Sequence, residues 1–242
     1  MRLYVIGLGP GDEKYLTAEA RSALEACRVV VGYHRYLKLI QNLIGGKTQY
    51  STPMGGELDR CRMALGFAAG GKPTALVCSG DAGVYGLAGP VYELAREYAG
   101  VEVVVVPGIT AALSAAALLG APLTNDFAVI SLSDLLTPWE EIAARLCAVA
   151  AGGFPLCLYN PGSTKRKDHL EKACDIILRY RGAATVCGIV SCAGREGETS
   201  RITSLGELRN HRADMFTTVI VGGGATTVIG GKMVTPRGYR RD

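Results

Sequence analysis

Residues 74–86, TALVCSGDAGVYG, decide the fold. Residues 75–78 are a short apolar run bounded by turn residues. Such a run suits a strand buried on both faces. It breaks into Ser79-Gly80-Asp81-Ala82-Gly83, and a helical pattern follows at Gly89. In an open α/β sheet, ligands bind just beyond the carboxyl ends of the strands. Two glycines let backbone approach a ligand closely, and Asp81 can accept hydrogen bonds. A second reading fits the same residues: Asp81 caps the next helix, and the glycines only shape the turn.

Working outward, residues 3–6 form a strand followed by Gly7-Leu8-Gly9-Pro10-Gly11-Asp12. This begins like a dinucleotide fingerprint and departs at Pro10, because no helix opens before Thr17. Pyrophosphate binding needs a helix N-terminus at that place. The loop therefore suits a ligand without phosphate, or is a plain strand exit. Residues 18–27 are predicted helical with Thr17 as N-cap. A strand at 29–31 ends in Gly32-Tyr33-His34-Arg35-Tyr36. That cluster could hold a carboxylated, conjugated ligand or simply start the helix carrying Leu37, Ile40 and Leu43. A loop at 52–56, helices at 57–70 and 90–98 and a strand at 101–106 complete a βα alternation, which predicts a mostly parallel sheet.

Pro107-Gly108-Ile109-Thr110 is the expected boundary, giving domains 1–108 and 109–242. Thr110 can cap an Ala-rich helix over 111–119, whose small side chains imply a close neighbour. Strands are expected at 127–132, 155–159, 185–190, 201–203 and 216–221. Pro138 suits the first position of a helix reaching Ala150, and Lys165-Arg166-Lys167 is expected to open a helix reaching Tyr180. Residues 232–237 read as a basic, extended tail. This half predicts a mixed sheet with helices.

The 242 residues are 48% hydrophobic, enough for a full core, and the 32 glycines follow no period, which excludes collagen-like sequence. A net charge of +4 without one long basic block argues against nucleic acid as partner. The eight cysteines form no CxxC pair, and Cys78, Cys157 and Cys187 read as small buried hydrophobes. The apolar part of residues 1–12 is too short for a secretory signal, and no run approaches membrane-spanning length. A reducing, cytoplasmic setting is expected. The three histidines show no metal-ligand spacing with the cysteines, so no protein-bound metal is expected.

GLGPGD, VVGYHRYL, CSGDAGVYGLAG, VPGITAALSAAALLGAPL, DFAVISLSDLLTPW, LYNPGSTKR, GREGE and MVTPRGY together resemble the tetrapyrrole methyltransferase superfamily. The likeness covers residues 3–239. ISLSDLLTPW, LYNP and MVTPRGY point within it to the branch acting on C17 of precorrin-3B or its cobalt counterpart. The resemblance implies two α/β domains, the first mostly parallel and the second mixed, with S-adenosylmethionine in a cleft between them. It implies a homodimer, C17-methylation coupled to ring contraction in cobalamin biosynthesis, and S-adenosylhomocysteine as product. Carried over by position, the implied cofactor contacts are Pro10, Gly80, Asp81, Val84, Tyr85, Thr110, Ala111, Tyr159 and Ala193. The chain departs from the family pattern at Gly222-Gly223-Gly224-Ala225-Thr226 and at Ser191-Cys192, both expected to line a wall of the site.

Methyl transfer from a sulfonium needs alignment and desolvation rather than a nucleophilic side chain. Ring contraction needs an acid or base. His34, at a strand end, is the leading candidate, with Asp134 and Asp126 behind it. His169 and His211 lie in polar helical stretches and are expected to face solvent. Arg35 and Arg195, with Lys38, Arg166 and Arg237, are candidates to pair with the substrate's carboxylates. A nicotinamide-dependent oxidoreductase, another branch of the superfamily, and a tetrapyrrole-binding protein without chemistry are the alternatives.

Overall fold

The structure, a computed structural model, describes residues 1–239; the last three positions of the expected second domain lie outside the described residues. The chain divides into two compact units, Met1–Ala111 and the remainder from Ala112. The division falls three residues beyond the expected boundary, one residue into a helix.

In the first unit, β1 (Arg2–Gly7), β2 (Val29–Tyr33), β3 (Thr48–Thr52), β4 (Thr74–Cys78) and β5 (Glu102–Val106) form one sheet in the order β3-β2-β4-β1-β5. Every pairing is parallel. Residues alternate between two cores. Leu3, Val5, Val29, Val31, Leu76 and Cys78 meet α4 (Glu57–Ala69) and α5 (Ala88–Ala95). Ile6, Val30, Ala75 and Val77 meet α1 (Ala18–Ala26), α2 (His34–Leu39) and α3 (Gln41–Ile44). A sheet covered on both faces explains the unbroken apolar runs. Thr17 caps α1, its Oγ1 accepting from the Ala20 amide at 3.0 Å. Two expectations change. The helix expected after Tyr36 is broken at Ile40 into α2 and α3. Residues 48–52, which carry no apolar run, form β3, because an edge strand buries little.

The second unit contains α6 (Ala111–Leu119), most of which falls within it, then β6 (Gly120–Ala121), β7 (Ala128–Ser131), α7 (Trp139–Gly152), β8 (Leu156–Tyr159), α8 (His169–Ile177), β9 (Val186–Ser191), β10 (Thr199–Ser204), α9 (Leu205–Leu208), β11 (Thr217–Val221), β12 (Thr227–Ile229) and β13 (Lys232–Val234). Its main sheet runs β10-β9-β11-β8-β7 and is mixed. β7 pairs parallel with β8, while β11 is antiparallel to both β8 and β9. One core packs Leu156, Leu158, Cys187, Ile189, Val219 and Val221 against α7, α8 and α9. α6 lies against Gly188, where an added Cβ would sit 2.3 Å from Leu119 Cδ1. That contact is made by the Leu119 side chain at the end of the helix, not by its alanines.

Three local expectations are corrected. Pro138 is the N-cap of α7, not its first residue. α8 starts at His169, because residues 163–166 close a turn with reciprocal Ser163 and Arg166 backbone bonds. The tail expected at 232–237 begins as β13, hairpinned to β12 through Gly230-Gly231, whose φ angles of 56° and 75° suit a two-residue turn. Beyond it Thr235 Oγ1 donates to the Pro122 carbonyl at 2.6 Å, and Arg237 donates to the Thr124 carbonyl at 2.8 Å. Arg237 is exposed, and this bond ties it to the 121–126 loop.

Candidate active-site rims

In the first unit, α1 and α5 follow β1 and β4, adjacent strands, onto opposite faces of the sheet. This is the switch point where α/β sheets bind ligands. The three loops leaving β1, β4 and β5 are joined there backbone to backbone. Gly9 and Gly80 exchange amide–carbonyl bonds at 3.0 and 2.7 Å. An added Cβ on Gly108 would sit 2.2 Å from the Gly80 carbonyl oxygen, and one on Gly7 would sit 2.7 Å from the same atom. Only glycine allows these approaches.

Asp81 completes the join. Its Oδ1 accepts from the Gly83 and Val84 amides at 2.8 and 3.1 Å, and its Oδ2 accepts from the Gly108 amide at 3.0 Å. The turn-shaping role is thus present and fixes the loop on which a ligand role depends, but Asp81 does not cap the next helix: α5 starts at Ala88 with Leu87 as its N-cap and no side-chain cap bond. Gly80, at φ +69°, lies in ordinary contact with the start of the next helix: an added Cβ would sit 3.8 Å from Thr110 Cα and 3.9 Å from Ala111 N. Val84 and Tyr85 are exposed apolar side chains, and Tyr85 holds φ +53°. Such strain gathers at ligand sites. Pro10 is buried, and the chain after it enters a short 3-10 turn, Glu13–Tyr15, rather than an α-helix. The cradle offers backbone polar groups and apolar side chains without a phosphate-binding helix start. That composition fits a sulfonium nucleoside.

His34 and Arg35 leave the carboxyl end of β2, beside β4, and both are exposed. The His34 ring lies edge-on to Tyr33 at 4.4 Å between centroids. Among the described residues no carboxylate or carbonyl hydrogen-bonds to it.

The second unit has its own rim at the carboxyl ends of β7, β8 and β9. Tyr159 is buried, and its hydroxyl accepts from the Ala112 amide at 2.6 Å, in the first turn of α6. Asn160 and Cys192 follow β8 and β9 with φ of 52° and 53°. Ala193 and Arg195 are half-buried in the next loop, with the Arg195 guanidinium 5.6 Å from the Phe216 ring centre. Asn160 Nδ2 donates to Ser131 Oγ at 2.9 Å, tying the β8 loop to the β7 loop.

Asp134 stands beyond β7, and it meets a histidine that polarity had assigned to solvent. His169 is 7% exposed. Its Nε2 lies 3.1 Å from Asp134 Oδ2, and its Nδ1 lies 3.2 Å from Asp168 Oδ1. Trp139 packs edge-on to the ring at 5.0 Å. The His169 hydrogen bond lowers the Asp134 carboxyl from its ordinary value, with burial opposing it. Lys172 does the same for Asp168. The signal for a buried His169 was present: it begins the stripe His169, Ala173, Ile177, at helical spacing. Asp126 is exposed, and His211 is half-buried.

The two departures separate. Ser191-Cys192 lies on this rim. Gly222-Gly223-Gly224 does not border it, because β11 runs antiparallel and its end meets the beginnings of β8 and β9. There the Gly224 amide donates to the Gly153 carbonyl at 2.9 Å, closing the end of α7.

No group of three or more metal-ligating side chains occurs among the described residues, and no helix there is long and apolar enough to cross a membrane. Residues 2–209 match the family described as Tetrapyrrole (Corrin/Porphyrin) Methylases. A probable cobalt-factor III C(17)-methyltransferase of Salmonella typhimurium is 46% identical over 98% of this chain and 99% of its own. A precorrin-3B C(17)-methyltransferase of Sinorhizobium sp is 40% identical, over 94% and 91%. The crystal structure of the methyltransferase CobJ matches with TM-score 0.90 and 36% identity, covering 97% of this chain and 99% of that one.

Proposed function

Because this chain belongs to the tetrapyrrole (corrin/porphyrin) methylases, we propose that it methylates C17 of a ring-uncontracted cobalt tetrapyrrole in cobalamin biosynthesis and contracts the ring. The full-length likeness to C17-methyltransferases carries this reading. The higher identity to the relative named for cobalt-factor III favours the cobalt-containing substrate over precorrin-3B. The methyl donor is S-adenosylmethionine, which supplies an electrophilic methyl and leaves as S-adenosylhomocysteine.

The residues of this chain bind and orient. In the first unit, Pro10, Gly80, Asp81, Val84, Tyr85, Thr110 and Ala111 are the proposed cofactor contacts. Gly80 offers backbone, Val84 and Tyr85 offer apolar cover, and Asp81 fixes the loop rather than meeting the ligand first. Tyr159 and Ala193 are the proposed contributions of the second unit. Arg35 and Arg195 are proposed to pair with substrate carboxylates. For ring contraction, Asp134 replaces His34 as the favoured acid–base group, since it is held by a buried partner whereas His34 is exposed. The protein is proposed to be a cytoplasmic homodimer without nucleic-acid partners. All eight cysteines are free thiols, which suits a reducing compartment. Incubation with labelled cofactor and cobalt-factor III, then with precorrin-3B, tests the reading by mass spectrometry of the product. Labelling of neither would refute it.

A further inference from the structure

We propose that His169 is a positioning residue for the ring-contraction step, holding the Asp134 carboxylate in a fixed place; this rests on the reaction proposed above. The arrangement is built, not incidental. Asp134 comes from the loop after β7, while His169 is the first residue of α8, so the pair clamps two separate segments. The ring is buried, and its packing against Trp139, the first residue of α7, fixes its plane. Asp134 is the exposed member, with 40% of its side chain open to solvent. A substrate therefore meets the carboxylate, not the imidazole.

Both ring nitrogens face carboxylate oxygens. A doubly protonated ring donates to both, whereas a neutral ring donates to one and leaves the other facing a lone pair. The surrounding charges are Asp168, paired with Lys172 at 2.7 Å, and Arg166, whose charge acts on Asp134. Arg166 also buries an Nε without a hydrogen-bond partner among the described residues, at the turn that leads into α8. The base of the 131–139 segment is held further by Asn160 on Ser131 and by the Leu132 amide on the Tyr159 carbonyl at 2.8 Å.

The step asked of Asp134 is proton acceptance. A substrate O–H bond breaks, its electron pair stays on the substrate oxygen, and the proton joins an Asp134 oxygen. The hydrogen bond that lowers Asp134 also weakens it as a base, so what His169 supplies is position: a carboxylate already fixed spares reorganisation.

The test uses the full chain with carbonyl-labelled aspartate and the variants His169→Phe and His169→Gln. Phe keeps the ring packing and removes both hydrogen bonds; Gln keeps one neutral donor. By NMR, Asp134 is expected to titrate higher in both variants than in the native chain. With cofactor and cobalt-factor III, methyl transfer is expected to persist, while ring contraction falls about tenfold or more in His169→Phe and less in His169→Gln. If His169→Phe does not fold, the Gln variant carries both readouts. An unmoved Asp134 titration overturns the proposal, as does equal slowing of methyl transfer and contraction. Native protein that methylates neither substrate refutes the functional reading instead, and leaves the titration result to judge the His169–Asp134 pair alone.

Discussion

Asp81→Asn tests whether one carboxylate holds the first unit's rim together. Asparagine is the same size but has one acceptor oxygen and one donor nitrogen. With its nitrogen toward Gly108, it sets donor against donor and loses that bond. Turned over, it loses the bonds to both Gly83 and Val84. The first orientation is the cheaper. Gly108 has little room to turn away, because it already touches Gly7 and the Gly80 carbonyl. A hydrogen bond to a charged group contributes about 1.5–3 kcal/mol, and Asp81 is half-buried, so a loss of about 2 kcal/mol is expected. For a unit of this size that lowers the melting midpoint by about 8 °C. Affinity for S-adenosylhomocysteine should fall about tenfold, roughly 1.4 kcal/mol, because the loop must then be ordered on binding. Urea unfolding and titration calorimetry measure the two effects. Stability within about 0.5 kcal/mol of native, with unchanged affinity, refutes the reasoning.

Other sites give separate tests. Arg181 donates to the carbonyls of Val149, Ala150, Phe154 and Gly222 at 3.1, 3.3, 2.8 and 2.7 Å, so Arg181→Met should cost about 3 kcal/mol in urea unfolding, with Arg181→Lys recovering only part. Gly188→Ala drives a methyl into Leu119 and should cost about 1–3 kcal/mol; adding Leu119→Ala should cost less than the sum of the two single changes. Burial pushes the thiols of Cys27 and Cys61 up to about 11, and those of Cys78, Cys157, Cys174 and Cys187 up to about 12. Above pH 9 the unfolded chain ionises and the folded chain does not. Stability is therefore complete below that pH and is lost toward pH 11–12, by about 1.4 kcal/mol per pH unit for each such thiol. Replacing Cys157 by Ala should make the pH slope shallower; an unchanged slope contradicts the assignment.

Much of the first rim was legible because its signals are local. A buried parallel strand announces itself as an apolar run, and the glycines after it mark where backbones meet. What the residues alone could not show was direction and partnership. Gly222-Gly223-Gly224 reads like the other strand-end loops, yet the antiparallel course of β11 carries it to the far end of the sheet. His169 has polar neighbours in the sequence, while its partner Asp134 lies 35 positions earlier in another loop. Arg237 bonds to the Thr124 carbonyl, a long-range contact that no periodicity reveals. The edge strand β3 escaped notice because an edge needs no apolar run. The two readings of Asp81 stayed open for a different reason: one carboxylate caps a turn locally and reaches Gly108 at a distance, and only the second bond makes it a brace.

The most direct trial is turnover of cobalt-factor III with methyl-labelled S-adenosylmethionine, with the product's labelled carbon placed by NMR. The expected product carries one labelled methyl at C17 on a contracted ring. A label on any other ring carbon, or no label at all, contradicts the proposed function.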